Sequence, residues 1–248
     1  MRFRPLLRFL LVGAVLVLSQ GTAHAMHVSD GILTPSWAVF WFAVSIPFLF
    51  YGLKKLKLQS QESPHTKAFV ALVGAGVFVI SCMPIPVPTA GTCSHPCGTG
   101  IAAILIGPAM TAVVASVALF LQALFLAHGG LTTLGANIFA MGIMGAYVGY
   151  AAFMVLRALR APWAVAAFAA GLLSDWATYA TTSLVLALAL HEHTSFFTLF
   201  MSILIAFVPT QVPLGIMEGF VSAGAYLFVQ SRRPDFLKQG MSLKGEVL

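Results

Sequence analysis

Long apolar stretches recur along the whole chain, separated by short polar breaks. Ser36 to Leu53, Ala68 to Cys82, Pro108 to Ala127, Ala136 to Leu156, Pro162 to Leu190 and Phe196 to Gln230 are each predominantly apolar. A helix needs about 20 such residues to cross a hydrocarbon layer, so these stretches read as transmembrane helices. The second is short and is expected to stand nearly upright. The last is interrupted by Pro209 and Pro213. Trp37 and Trp41 lie near the outer end of the first, where aromatic side chains favour the interface.

Two further segments depart from this pattern. At the start, Arg2, Arg4 and Arg8 precede a short apolar run, Phe9 to Leu18, and then Ala23-His24-Ala25. A basic start, a short apolar core and a small-x-small end describe a cleavable secretory signal. Residues 1–25 are therefore expected to be removed; the alternative is an uncleaved anchor helix. Residues 26–248 then form a single transmembrane domain whose new terminus, Met26-His27, is released on the outer face. The second departure is Met83 to Gly100, which holds four prolines and three glycines. A regular helix is excluded there. Such backbone lies at membrane depth only where protein buries it or a cavity hydrates it.

Charge then sets the topology. Lys54, Lys55, Lys57 and Lys67 mark a cytoplasmic loop, Arg157 and Arg160 another, and Arg232, Arg233, Lys238 and Lys244 close the chain. The Pro-rich loop has no Lys or Arg and is expected outside. An odd number of crossings must separate it from Arg157, and the missing one is Gly98 to Gly107. Ten residues at 1.5 Å each cover only about half a bilayer, so this is a short helix. The expected fold is all-α, a polytopic membrane bundle of about seven transmembrane segments, one of them short, N-out and C-in. Gly145-x-x-x-Gly149 and Gly215-x-x-x-Gly219 offer small residues for close helix packing.

Composition agrees. Of 248 residues 59% are hydrophobic and 8% charged, against about a quarter charged in a soluble domain. The net charge of +6 sits in short loop runs; it sets topology and implies no nucleic acid. No phosphate-binding loop, H-E-x-x-H, G-x-S-x-G or dinucleotide fingerprint is present.

The chemistry concentrates at the new terminus. Met26 would offer its α-amine, the Met26–His27 amide its nitrogen once deprotonated, and His27 its imidazole. These close a five- and a six-membered chelate ring in one plane, and one more imidazole completes a square. A planar set of four nitrogens suits Ni(II), Cu(II) or low-spin Co(II) rather than tetrahedral Zn(II). His95, in the outer Pro-rich loop, is the best fourth donor. His65, His128, His191 and His193 read as solvated loop residues. Cys93 and Cys97 flank His95; they are metal ligands, a local disulfide, or a structural pair, and the last two are preferred. Asp30 is expected to accept a hydrogen bond from a ligand imidazole or to cap the first span. Asp175 and Glu218, inside spans, should face the bundle interior and bond between helices.

These residues carry a family resemblance. Met26-His27-Val28-Ser29-Asp30-Gly31 resembles the start of the CbiM/NikM family. His95-Pro96-Cys97-Gly98-Thr99-Gly100, Gly135-Ala136-Asn137 with Met141-Gly142, and Pro209-Thr210-Gln211-Val212-Pro213 with Glu218-Gly219 resemble its later motifs. The resemblance covers essentially all of the chain after residue 25. It implies the substrate-capture component of an energy-coupling-factor importer in the bacterial inner membrane, not an enzyme. Co(II) or Ni(II) is the transported substrate, no organic cofactor is involved, and Met26, His27 and His95 are the metal ligands. Asp30, Cys93 and Cys97 support the site. The implied partners are a transmembrane coupling subunit, cytoplasmic ATPase subunits and a small accessory membrane subunit, within membrane lipid. Uptake would feed cobalamin biosynthesis. Cys93 and Cys97 depart from the family pattern, and an intramembrane thiol-redox enzyme using them is the alternative. A metal sensor or passive channel is a third reading, and the spans hold too few polar residues for a pore.

Overall fold

The computed structural model describes residues 24–25, 27–83, 85–87, 92–235 and 237. Residues 1–23, Met26 and the side chain of Cys93 lie outside the described set.

Seven helices occur among the described residues. They are α1 (Pro35–Glu62), α2 (Thr66–Ser81), α3 (Thr99–Ile106), α4 (Pro108–Phe125), α5 (Leu134–Ala158), α6 (Trp163–Leu190) and α7 (Phe196–Arg232). The expected all-α bundle with one short member is therefore what forms. α1 begins on Pro35, where a missing N–H costs nothing. It runs past the expected Leu53 to Glu62, so Lys54, Lys55 and Lys57 sit on its last turns rather than in a loop. α7 passes through Pro209 and Pro213 without ending; it is continuous where an interruption was expected. α5 contains a π-helical stretch, Ile138–Gly145, which periodicity did not reveal. His191–His193 form one 3-10 turn between α6 and α7.

α1, α4, α5 and α7 are long and apolar enough to cross a membrane, and α2 is a shorter apolar helix. α6 has 28 residues, or about 42 Å at 1.5 Å each, but it spends its inner face on Ser174, Asp175, Thr178, Thr181, Thr182 and Ser183, all buried. Large apolar side chains such as Phe50, Leu72, Val79, Phe125, Phe197, Phe220 and Phe228 are exposed and form a lipid-facing exterior.

α3 is the centre of the bundle. All eight of its residues are buried, which is why it is apolar on every side. Gly98 (φ +69°) starts it and Gly107 (φ +86°) ends it; both hold left-handed backbone that favours glycine. Pro108 then opens α4. Inside α3, a Cβ on Gly100 would stand 2.7 Å from Ala170 O and 2.8 Å from Gly171 Cα of α6. Gly149 meets the same Ala170 carbonyl from α5, and Gly219 of α7 meets Phe168 of α6. Both glycine pairs seen in the sequence thus mark close helix approaches to α6.

The loops carry a small sheet in the order β1–β3–β2, with β1 (His24–Ala25), β2 (Ile85–Val87) and β3 (Thr92–Ser94). β2 and β3 are antiparallel. β1 runs parallel to β3, pairing His24 with Thr92 and Ala25 with Cys93. The described residues between α2 and α3 are non-helical, as expected of the Pro-rich loop, and β2 pairs with β3 within it; β1 lies in the segment expected to be removed.

Gly100→Ala should lower the unfolding temperature of the detergent-solubilised protein, because the new methyl meets backbone; overpacking of this kind costs about 1–3 kcal/mol. Gly76 on α2 has no atom within 4 Å of its added Cβ. Gly76→Ala should leave the temperature unchanged or raise it, and equal losses for both variants would contradict the packing account.

Candidate metal centre

The segment before α1 is pinned by its backbone. Asn137, in the first turn of α5, accepts from Val28 N at 2.9 Å and donates Nδ2 to Val28 O at 3.1 Å. The Thr133 hydroxyl donates to the same carbonyl. Two residues on, Asp30 accepts from Thr132 N at 2.8 Å, Thr132 Oγ1 at 2.5 Å and Leu131 N at 3.3 Å. These donors hold the Asp30 carboxyl below its ordinary pKa, chiefly through the Thr132 hydroxyl. Asp30 was expected to bond an imidazole or cap α1. It instead fastens the terminal segment to the loop before α5, because that loop presents free N–H groups.

Two glycines make the approach possible. A Cβ on Gly130 would stand 2.5 Å from Asp30 N, and one on Gly129 (φ +82°) 2.9 Å from His27 Cβ. The turn therefore lies directly on the terminal segment, and it carries His128 with it.

His95 follows β3 and is held from α6 and α7. Gln211 Nε2 donates to Ser94 Oγ at 2.6 Å. The Tyr179 hydroxyl donates to His95 O at 3.1 Å. Glu218 accepts from Cys97 N and Gly98 N, each at 2.8 Å. His95 Nδ1 lies 2.9 Å from Pro96 O; a carbonyl can only accept, so Nδ1 carries the proton and Nε2 keeps its lone pair.

His27, His95 and His128 meet. Their ring centroids are 4.7 Å apart for His27–His95, 4.9 Å for His27–His128 and 4.9 Å for His95–His128. One possible ligand atom from each lies within 4.8 Å of the others. The Nε2 atoms of all three are buried without a hydrogen-bond partner. Burial pushes each imidazole pKa down, for His95 to about 4. At neutral pH the three rings are uncharged, which is the form that ligates a metal.

Two sequence expectations meet differing outcomes here. His27 and His95 come together. His128 was expected to be a solvated turn residue; it is half-buried in the cluster because the Gly129-Gly130 turn folds back over His27. The histidine directly before two glycines was the available signal.

Cys97 is a free, fully buried thiol, so the local disulfide considered from sequence does not form. Its Sγ lies 3.8 Å from Asp175 Oδ1, and Cys97, Asp175 and Glu218 form a second buried group. Burial first, then these two carboxyls, push the thiol pKa well up. A protonated, inaccessible thiol is inert, and nothing supports a redox site. Asp175 and Glu218 do face the interior. Glu218, however, bonds the loop before α3 rather than another helix, since that is where unpaired N–H groups stand.

Residues 27–236 match the family described as cobalt uptake substrate-specific transmembrane region, CbiM. A cobalt transport protein CbiM of Geobacter sulfurreducens is 54% identical over 92% of this chain and 65% of its own length. One from Sorangium cellulosum is 56% identical over 86% of this chain and 94% of its own. One from Limosilactobacillus reuteri is 41% identical over 93% and 94%. The chain thus spans about two thirds of the Geobacter protein and nearly all of the other two. These relatives are named as transport proteins, not enzymes. Two crystal structures share the fold, one of a transition metal transporter (TM-score 0.72, 23% identity, 88% of this chain and 100% of that one) and one of a truncated form (0.71, 24%, 83% and 98%). With apolar helices throughout and a match over nearly its whole length, the chain is a multi-pass membrane protein and belongs to the CbiM family.

Proposed function

We propose that this chain captures divalent cobalt at the outer face of the bacterial inner membrane, as the substrate-binding component of an energy-coupling-factor importer. The contact between His27 and His95, both buried, carries the reading. Signal cleavage after Ala25 frees the Met26 amine, and residues 26–248 are the working domain, N-out and C-in. Amine, deprotonated amide and His27 imidazole then form a planar tridentate chelate, and His95 Nε2 closes the square. Nickel(II) fits the same four nitrogens; the names of the relatives favour cobalt. Asp30 and Asn137 position the terminal segment. Cys97 supports the loop without ligating.

Transport requires energy that this chain has no phosphate-binding loop to collect. A transmembrane coupling subunit and cytoplasmic ATPases supply it in this reading, with a small accessory membrane subunit beside them, and the imported cobalt serves cobalamin biosynthesis.

Blocking cleavage, or adding one residue before Met26, should give a chain that inserts but loses tight cobalt binding in isothermal titration. Retained affinity would sink the amine-ligand idea. His95→Ala should weaken binding beyond the roughly 10- to 100-fold typical of losing an outer-shell partner, with the unfolding temperature of the metal-free protein little changed. The purified chain alone should release no phosphate from ATP; hydrolysis by it would count against the capture role.

A further inference from the structure

The three imidazoles form a nearly equilateral triangle, and that shape identifies the third one. A ring bound through nitrogen at about 2.1 Å places its centroid about 3.2 Å from the metal. Two rings at right angles about a metal then have centroids about 4.5 Å apart, and two opposite rings about 6.4 Å. The observed separations are 4.7, 4.9 and 4.9 Å. Every pair is therefore adjacent, and none is opposite. In the planar chelate, His27 and His95 occupy neighbouring corners. The two remaining corners belong to the amine and the amide, each opposite one of these imidazoles. A third ring adjacent to both cannot lie in the plane. It stands above it.

We propose that His128 is the apical ligand of the captured metal, which makes the site five-coordinate and square-pyramidal with nitrogen donors throughout. This rests on the capture site described above and extends it by one residue. The His128 Nε2 atom is buried and lacks a partner. Its ring has no competing carboxylate at the cluster, since Asp30 is engaged by Leu131 and Thr132. The backbone is built to bring it there: Ala127 (φ +48°) and Gly129 (φ +82°) on either side both take left-handed conformations, and His128 N donates to Gln122 O at 3.2 Å. A non-glycine residue in that region is uncommon and strained. An apical imidazole also bears on selectivity. Co(II) accepts a fifth donor on the axis of a planar field, whereas planar low-spin Ni(II) gains little from one. His128 would thereby tilt a four-nitrogen site that both ions accept towards cobalt.

Electron paramagnetic resonance on the cleaved, full-length protein loaded anaerobically with Co(II) alone tests the assignment. In low-spin Co(II) with planar donors the unpaired electron lies along the axis, so only an apical nitrogen splits the cobalt lines strongly. Wild-type protein should show each parallel line as a triplet. Labelling histidine with 15N should turn the triplets into doublets, and His128→Ala should abolish the splitting while cobalt stays bound. The labelling arm needs no substitution and tests for a histidine nitrogen on the axis even where the variant fails to fold; His128→Ala assigns that nitrogen. A low-spin spectrum without the splitting, a triplet unmoved by labelling, or splitting retained in His128→Ala would overturn the apical assignment and leave the planar capture site standing. A high-spin spectrum would overturn both, and absence of bound cobalt would overturn the capture reading itself.

Discussion

Val28 stands in an irregular segment with no strand beside it, and the side-chain amide of Asn137 serves as its partner. An amide offers one donor and one acceptor at the spacing of a peptide group, so it can satisfy Val28 N and Val28 O together. The rest of the outer site depends on this pairing. His27 precedes Val28 and inherits its position, and Asp30 reaches the loop before α5 from the other side. Asn137 is itself placed by the start of α5. There Gly135 has no room for a side chain against Phe42 of α1, and Ser45 donates to its carbonyl at 2.9 Å. A run of three residues, Gly135-Ala136-Asn137, therefore seats one helix on another and clamps the chain that carries the first imidazole.

The second imidazole is fixed by a different device with the same logic. The chain from Ser94 to Gly98 is buried and non-helical, so its polar groups need partners from protein. Gln211, Tyr179 and Glu218 provide them. Glu218 takes two consecutive N–H groups at the entry to α3, where a helix leaves its first donors unpaired and favours negative charge. α3 can then be short. It need not reach the far side of the membrane, because it is enclosed by the other helices and because its task is to end the His95 loop at a defined depth. The cysteine between His95 and Gly98 needs no chemistry in this arrangement; it fills space against Asp175.

Much of this was legible in the sequence because it follows from length and from breakers. Apolar runs of about 20 residues, the Gly98–Gly107 gap forced by charge parity, and the glycine pairs along α5 and α7 each have one structural solution. Proline was less informative. Pro209 and Pro213 sit inside a continuous helix; membrane helices tolerate proline where their surroundings re-satisfy the backbone, and a single sequence does not show those surroundings. The site divides along the same line. His27 and His95 were legible because chelate chemistry singles out a residue after a free terminus and asks for one more imidazole. His128 was not, since nothing local to Leu126-Ala127-His128-Gly129-Gly130 says what the turn will cover. Only the contact of Gly129 and Gly130 with His27 and Asp30 does. Asp30 and Glu218 were seen as important carboxylates, yet their partners are backbone groups far away in sequence.

Three buried nitrogens without partners are costly to keep. Each unsatisfied group of this kind costs about 1–3 kcal/mol, which folding must offset elsewhere. Charging the rings would relieve nothing, because burial and mutual repulsion already hold their pKa values down. A cation takes the Nε2 lone pairs of His95 and His128 together, and in the chelate it takes His27 through Nδ1. The clamps on Val28, Asp30 and the His95 loop prevent the alternative, in which the rings swing out to solvent and abandon the cluster. The fold thus holds the donors together, and the ordering cost of the ligands is met before the ion arrives.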